Sequence, residues 1–358
     1  MLCRLVRFTR LAVLLGATSL FNPTVSRAAE IFVLSSTFPL RFEDLYSTGR
    51  QAALSYSDLA SAEGMGGLWT NPGAPLASGE VVDVCAARAG DLPGRPGSDI
   101  VAVGGSAQWK FIRVAVASRG YSDEEEAFSV APGPAPTFDY SWRDTALGTT
   151  IDVGRLVHLE ERFGVSLGAG WRHRAEEFSG TQDSSSEVST DSIDLGASGT
   201  WRDRFGSTES GIALSAVFLN ALGGHYELSG RPRAERVRTL RVGTTLSLAL
   251  DSEEGGRVPL EAHAATAVTR QFGDVDRTTW HVGGEIVVAS HVFLRGGRES
   301  LTSESTWSYG AGLRYALNNG IAPLDGIAVA FDWTRQDFDL SGTERSIDTL
   351  GARLSVEF

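Results

Sequence analysis

The sequence predicts an all-β chain that folds as a transmembrane antiparallel β-barrel of about fourteen strands. Three observations predict this fold class. Apolar and polar residues alternate through one segment after another, the connections differ in length, and aromatic residues gather at the segment ends. The barrel has to close, because in lipid only helices and closed sheets satisfy every backbone polar group.

The alternation is clearest at the end of the sequence, which closes with "GARLSVEF". Every second residue from Leu350 to Phe358 has an apolar side chain, and the smallest of these is Ala352. Segments of about 10 to 13 residues suit tilted membrane strands, whereas strands of soluble sheets usually have about 5 or 6. We predict strands at 79–88, 98–105, 108–118, 144–155, 162–174, 190–202, 209–220, 236–250, 258–270, 278–289, 291–299, 305–317, 325–336 and 346–358.

Connection lengths favour a membrane barrel over a soluble β-sandwich, which alternation alone does not exclude. If the mature N terminus is periplasmic, the longest connections, 119–143, 175–189 and 221–235, are all extracellular. Connections on the other side, such as 106–108, 203–207 and 289–291, are short. Outer-membrane barrels show this asymmetry, and a sandwich has no reason to show it.

The aromatic residues agree with the same orientation. Two belts are predicted, since amphipathic rings favour the headgroup level. The outer belt contains Trp171, Trp280, Trp307 and Trp333, and the periplasmic belt contains Phe163, Trp201, Tyr315 and Phe358. Phe358 is then a belt residue on the closing strand. A C-terminal aromatic after alternating apolar residues also resembles the signal read by the outer-membrane barrel assembly machinery.

Residues 1–28 read as a secretory signal peptide. A basic start with Arg4, Arg7 and Arg10 precedes the apolar run 11–21, and small residues then mark a cleavage site near Ala28. Cleavage removes four arginines and no acids, so the net charge falls from −12 to −16. This acidic chain is a poor partner for nucleic acid, which requires a basic surface.

Residues 29–78 do not follow the strand pattern that fills 79–358. Their start is apolar, residues 51–59 suggest a short helix, and Asn71-Pro72-Gly73 is a strong turn signal. We predict that this segment, a short helix plus turns, plugs the lumen of the barrel. The alternative is a periplasmic strand or helix that docks on another protein.

The chain resembles a known family at this segment. A Gly- and Ala-rich stretch, then Trp69, Asn71, Pro72 and Leu76 just before the first strand, is similar to FadL-like transporters and the related PorV/PorQ proteins. The phrases "VFLRGGRES" and "YGAGLRYAL" also resemble PorV-like strands. The resemblance implies a fourteen-stranded barrel with its N-terminal segment inside the lumen. Family members include importers of hydrophobic compounds and a component of a protein-secretion system.

Residue patterns for catalysis or cofactor binding do not stand out. None of the six histidines has metal-ligand spacing with a Cys, Asp or Glu partner, so we expect no metal site and no cofactor. No Ser/His/Asp arrangement is evident either, so we expect that the chain is not an enzyme.

Two functions remain open. The first is a channel or transporter for small, hydrophobic molecules, working through the inward charges Arg172, Arg241, Glu285, Arg314, Asp332 and Arg353. The second is a non-enzymatic, secretion-associated or surface-interaction barrel that works through its outer loops. The inward charges could also simply pair across the lumen and stabilise it. The location is the outer membrane of a Gram-negative-type bacterium. Expected partners are the lipid bilayer, lipopolysaccharide, the assembly machinery and secretion-system proteins.

Overall fold

The computed structural model describes residues 49–60, 64–92, 95–127, 137–159, 162–180, 185–223, 225–226, 234–235, 237–250, 259–272, 277–300, 305–317, 326–340 and 343–358. The predicted signal peptide and residues 29–48 of the predicted plug lie outside these residues. Within them no helix is long and apolar enough to cross a membrane.

Fourteen antiparallel strands form a closed barrel, as predicted. They are β1 Val81–Leu92, β2 Arg95–Trp109, β3 Ile112–Ala127, β4 Thr137–Asp152, β5 Phe163–Gly180, β6 Ser185–Phe205, β7 Thr208–Gly223, β8 Arg238–Leu250, β9 Leu260–Phe272, β10 Arg277–Val288, β11 Val292–Ser300, β12 Ser305–Leu317, β13 Gly326–Leu340 and β14 Thr343–Glu357. The last strand pairs with the first, with Val82 opposite Val356. We call the end that carries Val81 and Phe358 the lower end.

The outer face is apolar and exposed, whereas the inner face is polar and buried. On β14, Leu350 is 61% exposed and its neighbour Thr349 is 0% exposed. The same alternation follows Leu167, Leu214 and Phe331, all exposed on the outside. A soluble sandwich would bury these side chains, so the alternative fold is wrong for this chain.

Several strands are longer than predicted. The prediction that long connections lie at one end of the barrel and short ones at the other is wrong. Strand β3 continues to Ala127, and only residues 181–184 separate β5 from β6. At the lower end, three connections have as many residues as most upper connections. They are 153–162, 251–259 and 318–325. Polar residues do not end a strand here, because the pairing is made by the backbone.

Two tight turns at the lower end contain left-handed residues other than glycine. The turn that joins β10 to β11 at Ala289 and Ser290 falls where the sequence predicts it, whereas Lys110, in the turn that joins β2 to β3, lies inside the predicted strand 108–118. All three residues have positive φ, between 52° and 57°. Left-handed backbone in a short hairpin connection matches the right-handed twist of the strands, so these turns tolerate it without glycine.

The eight predicted belt aromatics lie on or next to outward positions, but not all of them lie at strand ends. Trp171 and Trp333 lie near the middle of β5 and β13, because both strands continue upward beyond them. Phe163 and Trp171 nevertheless bound a stretch of about 9 residues, which is the length that a tilted strand needs to cross a bilayer. We interpret the aromatic positions as marking the bilayer surface rather than the strand ends.

In the part of the chain that the structure describes, three short helices accompany the strands: α1 Gly49–Ala53, α2 Gly64–Thr70 and α3 Val153–Leu156. Helix α3 begins after Asp152, whose side chain accepts a hydrogen bond from the Arg155 amide. The helix expected at 51–59 is replaced by the shorter α1. It is followed by Ser55 and Tyr56, whose positive φ angles end the helical path.

Candidate functional site

Residues 49–60, the first lumenal segment, contact the inner wall of the barrel on one side. The contacts reach from β8 to β14: Thr245 Oγ1 donates to Asp58 at 3.0 Å, and Ser55 Oγ lies 2.8 Å from Ser308 Oγ. His281 Nδ1 donates to the Ser55 carbonyl at 2.9 Å. The polar inner face of these strands therefore binds the segment through short hydroxyl and imidazole hydrogen bonds.

Glycines in β10 and β11 make room for the first lumenal segment. A Cβ added at Gly297 would lie 2.7 Å from the Leu54 carbonyl carbon, and one at Gly283 would lie 2.7 Å from the Leu54 oxygen. The segment turns there with Ser55 at φ 48° and Tyr56 at φ 57°. Left-handed backbone costs a non-glycine residue roughly 1–2 kcal/mol. Bonds from the Ser55 and Tyr56 amides to the Ala52 and Gln51 carbonyls, each 3.0 Å long, offset part of this cost.

A chain of alternating charges connects the first lumenal segment to the wall. Arg50 lies 2.8 Å from Glu285 and 3.4 Å from Asp58. Glu285 is also bonded to Arg295, which in turn is bonded to Asp332 on β13. Each buried charge thus has a counter-charge, which it requires in a site of low dielectric constant.

Residues 64–78, the second lumenal segment, contact the opposite side of the wall, from β1 to β6. Four wall side chains donate hydrogen bonds to its backbone carbonyls. These bonds are Arg172 to Trp69 at 3.1 Å, Thr150 to Pro72 at 2.5 Å, Ser166 to Gly73 at 2.7 Å and Arg113 to Ala74 at 3.3 Å. Together the two lumenal segments cross the interior of the barrel.

Trp69 and Asn71, identified by the family resemblance, lie at the centre of these contacts. The guanidinium carbons of Arg119 and Arg172 lie 4.3 and 5.1 Å from the centroid of the Trp69 ring. Asn71 Nδ2 donates to the Leu59 carbonyl at 2.8 Å and to Ser198 Oγ at 2.9 Å. These bonds tie the second lumenal segment both to the first and to β6.

Pro72 and Leu76, the other two motif residues, lie along the same path. The backbone at Pro72 and Gly73 approaches β5 and β6 so closely that a Cβ at Gly168 would lie 2.0 Å from the Pro72 oxygen. Leu76 is buried beside the cavity described below. Only glycine permits this backbone-to-backbone approach, which explains part of the glycine content of β5.

The six predicted inward charges all lie on inward strand positions. Arg172, Arg241 and Glu285 are almost completely buried. Arg314, Asp332 and Arg353 line the cavity at the lower end. Three ion pairs were foreseen only as a general possibility: Arg172 with Asp194 at 2.7 Å, Arg353 with Asp83 at 3.0 Å, and Glu285 with Arg50 at 2.8 Å.

Several site residues were not identified from the sequence. They are Arg50, Asp83, Arg119, Asp144, Asp194 and Arg295. Arg295 could have been identified from the alternation, because every second residue of β11, Phe293, Arg295 and Gly297, faces inward. For Arg50 no signal exists, since its role depends on where the first lumenal segment docks.

A cavity of about 490 Å³ lies below the two lumenal segments. Arg50, Gln51 and Pro75 bound it from the segments, and Ser355 and Glu357 lie near its mouth at the lower end. The wall between carries charges of both signs and small or apolar side chains such as Val287, Phe293, Ala328 and Ala330. This lower chamber therefore has no ring of one charge that would select cations or anions.

Metal chemistry finds no support among these residues. Within the part of the chain that the structure describes, no group of three or more His, Cys, Asp or Glu side chains could hold an ion. The inward carboxylates are instead bonded to arginines.

Comparisons with known proteins find similar barrels among solved structures. The CymD monoaromatic hydrocarbon channel is 10% identical, with a TM-score of 0.47 over 87% of this chain and 97% of that one. A Pseudomonas aeruginosa FadL homologue is 11% identical, with a TM-score of 0.40 over 86% and 96%. The transport unit of the Escherichia coli autotransporter AIDA-I is 10% identical, with a TM-score of 0.43 over 87% and 99%.

These similarities concern the barrel alone, and at such identities and TM-scores they say nothing about function. No protein-family profile matches the chain, and no curated protein matches it. The resemblance to PorV and PorQ proteins therefore stays a prediction, and the function has to be inferred from the chain's own residues.

Proposed function

We propose that the chain is an outer-membrane channel or transporter for small molecules that its own N-terminal segment closes. One observation carries the proposal: two lumenal segments cross a barrel with an apolar outer face, directly above a chamber at the lower end. A barrel of this width is not filled by its own side chains in the way that eight-stranded barrels are. A segment that occupies the interior therefore controls passage.

The attachment of the first lumenal segment suits a closure that can be released. It is held mainly by side-chain contacts, including the Arg50–Glu285 ion pair at the border of the lower chamber. An open passage would lead through a chamber lined by paired charges and small side chains. Such a lining accepts compact solutes without strong preference for either charge.

The substrate class that we propose is small, hydrophobic molecules. It comes from the resemblance of Trp69, Asn71, Pro72 and Leu76 to FadL-like transporters. Apolar chamber residues such as Val287 and Phe293 offer contact surface for such molecules. The outer membrane, with lipopolysaccharide and the barrel assembly machinery as partners, is part of the same proposal.

Uptake measurements with a matched pair of glycine variants test this function. Cells of a porin-deficient Gram-negative host would express the intact chain, Gly297→Ala or Gly296→Ala. A Cβ at Gly297 collides with the backbone at Leu54, whereas one at Gly296 meets nothing closer than 3.8 Å. A hydrophobic naphthylamine dye and the sugar arabinose serve as probes.

We expect the intact chain, which opens only occasionally, to accelerate dye uptake slightly over cells without it. Gly297→Ala should accelerate it further and admit arabinose, and Gly296→Ala should behave like the intact chain. If neither probe crosses through any of the three although all are folded in the membrane, the channel proposal is wrong. The secretion-associated or surface-interaction barrel would then be the better hypothesis.

A further inference from the structure

We infer that the first lumenal segment is the moving part of the closure and that the second lumenal segment is a fixed anchor. The inference rests on the proposed function for its biological meaning, because a gate needs a passage to close. Its physical basis is independent of that function. It lies in the different ways in which the two segments are attached to the wall.

The second lumenal segment is fixed through its backbone. Four side chains on three neighbouring wall strands, β3 to β5, donate to its carbonyls between Trp69 and Ala74. Backbone hydrogen bonds of this kind cannot be released by rotating a side chain of the segment. The close approach to Gly168 leaves no space for a shift toward the wall.

Two further features strengthen the anchor. Met65, Leu68 and Trp69 form a buried apolar cluster with the β1 to β4 wall. At the exit toward β1, the Gln108 side chain accepts from the Ala77 amide at 3.1 Å and donates to the Ala77 carbonyl at 2.7 Å. The second lumenal segment is therefore held at both ends and is continuous with the first strand.

The first lumenal segment is attached mostly by side chains. Asp58 accepts from Thr245, Ser55 lies against Ser308, and Arg50 pairs with Glu285. The wall also donates to its backbone, from His281 to Ser55 at 2.9 Å and from Gln336 to Ala52 at 3.5 Å. Its ion pair with Glu285 borders the lower chamber, where Arg50 remains partly exposed. Water in the chamber can solvate both charges as they separate, which lowers the cost of release.

The turn of the same segment is closed within the segment itself. Ser55 and Tyr56 are left-handed non-glycine residues, and their amides donate to the Ala52 and Gln51 carbonyls at 3.0 Å. The segment can therefore leave the wall as one unit that keeps these bonds. The bonds that join the segments, such as Gln51 to Thr70 at 2.7 Å, would break on release without loosening the anchor.

Hydrogen exchange followed by mass spectrometry on the full chain in nanodiscs tests the inference. We expect amides of 49–60 to exchange at least about tenfold faster than those of 64–78, as expected for a locally opening unit beside a stable one. Gly297→Ala should accelerate exchange in 49–60 and leave 64–78 unchanged. Gly296→Ala is the control and should change neither. Equal exchange in both segments, or equal acceleration of both by Gly297→Ala, would overturn the inference.

A disulfide gives a second measurement on the same segment. Ser55→Cys with Ser308→Cys, in a Cys85→Ser background, places two thiols where the native hydroxyls lie 2.8 Å apart. Oxidation should slow exchange in 49–60 to the rate of 64–78, and reduction should restore it. If the exchange difference is present but no variant conducts, the channel proposal fails and this inference stands. If the barrel conducts and the exchange difference is absent, this inference fails alone.

Discussion

Asn71 shows how much one residue contributes to the lumenal structure. It is completely buried, donates to Leu59 and Ser198, and accepts the Gly73 amide at 2.9 Å. The sequence marked it as a turn residue and as part of a family-like motif. It did not reveal Ser198, because a partner that far along the chain depends on how the segment docks inside the barrel.

Replacing Asn71 with alanine should loosen the second lumenal segment. The change leaves buried partners unsatisfied, and each such group costs roughly 1–3 kcal/mol. Cys85 lies in the apolar cluster with Met65 and Trp69, so its reaction with a thiol-reactive dye reports the loosening. In a urea titration, Asn71→Ala should allow labelling at lower urea than the intact chain. Ser198→Ala removes one of the bonds and should shift the curve less. A labelling curve identical to that of the intact chain would contradict this role.

Glu285 carries the ionic attachment of the first lumenal segment. Glu285→Gln keeps its shape but removes the charge that Arg50 and Arg295 share, and charged hydrogen bonds contribute roughly 1.5–3 kcal/mol. We expect about tenfold more frequent openings in single-channel recordings, since 1.4 kcal/mol corresponds to a factor of ten. The control is Glu261→Gln, whose partner His263 lies 3.8 Å away in the same chamber. Equal opening frequencies in both variants would count against the attachment.

Among the elements, the strands were predictable and their lengths were not. Alternation with period two places apolar side chains on one face, and on a barrel in lipid that face is the outside. Strands β5 and β6 run on through polar residues that the sequence suggested were loops. A backbone ladder does not depend on side-chain polarity, so composition marks the bilayer rather than the strand end.

The closing strand depends on its last residue. The Phe358 amide donates to the Glu80 carbonyl at 3.0 Å, which extends the pairing of β14 with β1 by one step. Deleting Phe358 should reduce the membrane-inserted fraction several-fold, because closure and the lower aromatic belt both lose a contact. Phe331→Ala removes an exposed aromatic from β13 without touching the closure and should assemble normally. The measurement is the heat-modifiable fraction in outer-membrane extracts, and equal assembly of both variants would exclude a special role.

The short helix α1 could not be bounded from sequence. Apolar and small residues from Gln51 to Leu59 suit a helix, yet α1 ends at Ala53. The amides of the left-handed residues Ser55 and Tyr56 donate to the Ala52 and Gln51 carbonyls and close the helix there. Such a cap is usually built on glycine, and no glycine or proline within the segment announces the turn.

At the scale of the whole molecule, the closed barrel makes a direct prediction about stability. With the last strand paired to the first, no edge is left from which unfolding can begin, so the barrel should resist detergent at room temperature. The folded chain should migrate faster than the boiled chain on a gel. Recovery of the exported chain as a soluble periplasmic monomer would contradict the fold and its location.

The barrel was predictable as a whole because the alternation of apolar and polar residues that determines it repeats in every strand. The lumenal contacts were not, because inward positions share the same few residue types and give no unique partner. Thr150, Ser166 and Ser198 look alike in sequence, yet each binds a different point of the second lumenal segment. Ion partners such as Asp83 and Arg353 lie on the two strands that close the barrel, so only the closed topology brings them together.

The central claim is that the N-terminal segment closes a barrel that would otherwise conduct. Planar-bilayer recording of the intact chain and of a variant lacking residues 30–60 tests it most directly. The deletion removes the first lumenal segment and keeps the second, with its connection to β1. We predict that the intact chain is closed or barely conducting and that the deletion produces a steady open channel with little preference between cations and anions. If the intact chain already conducts as a wide pore and the deletion leaves its conductance unchanged, the segment is not a closure.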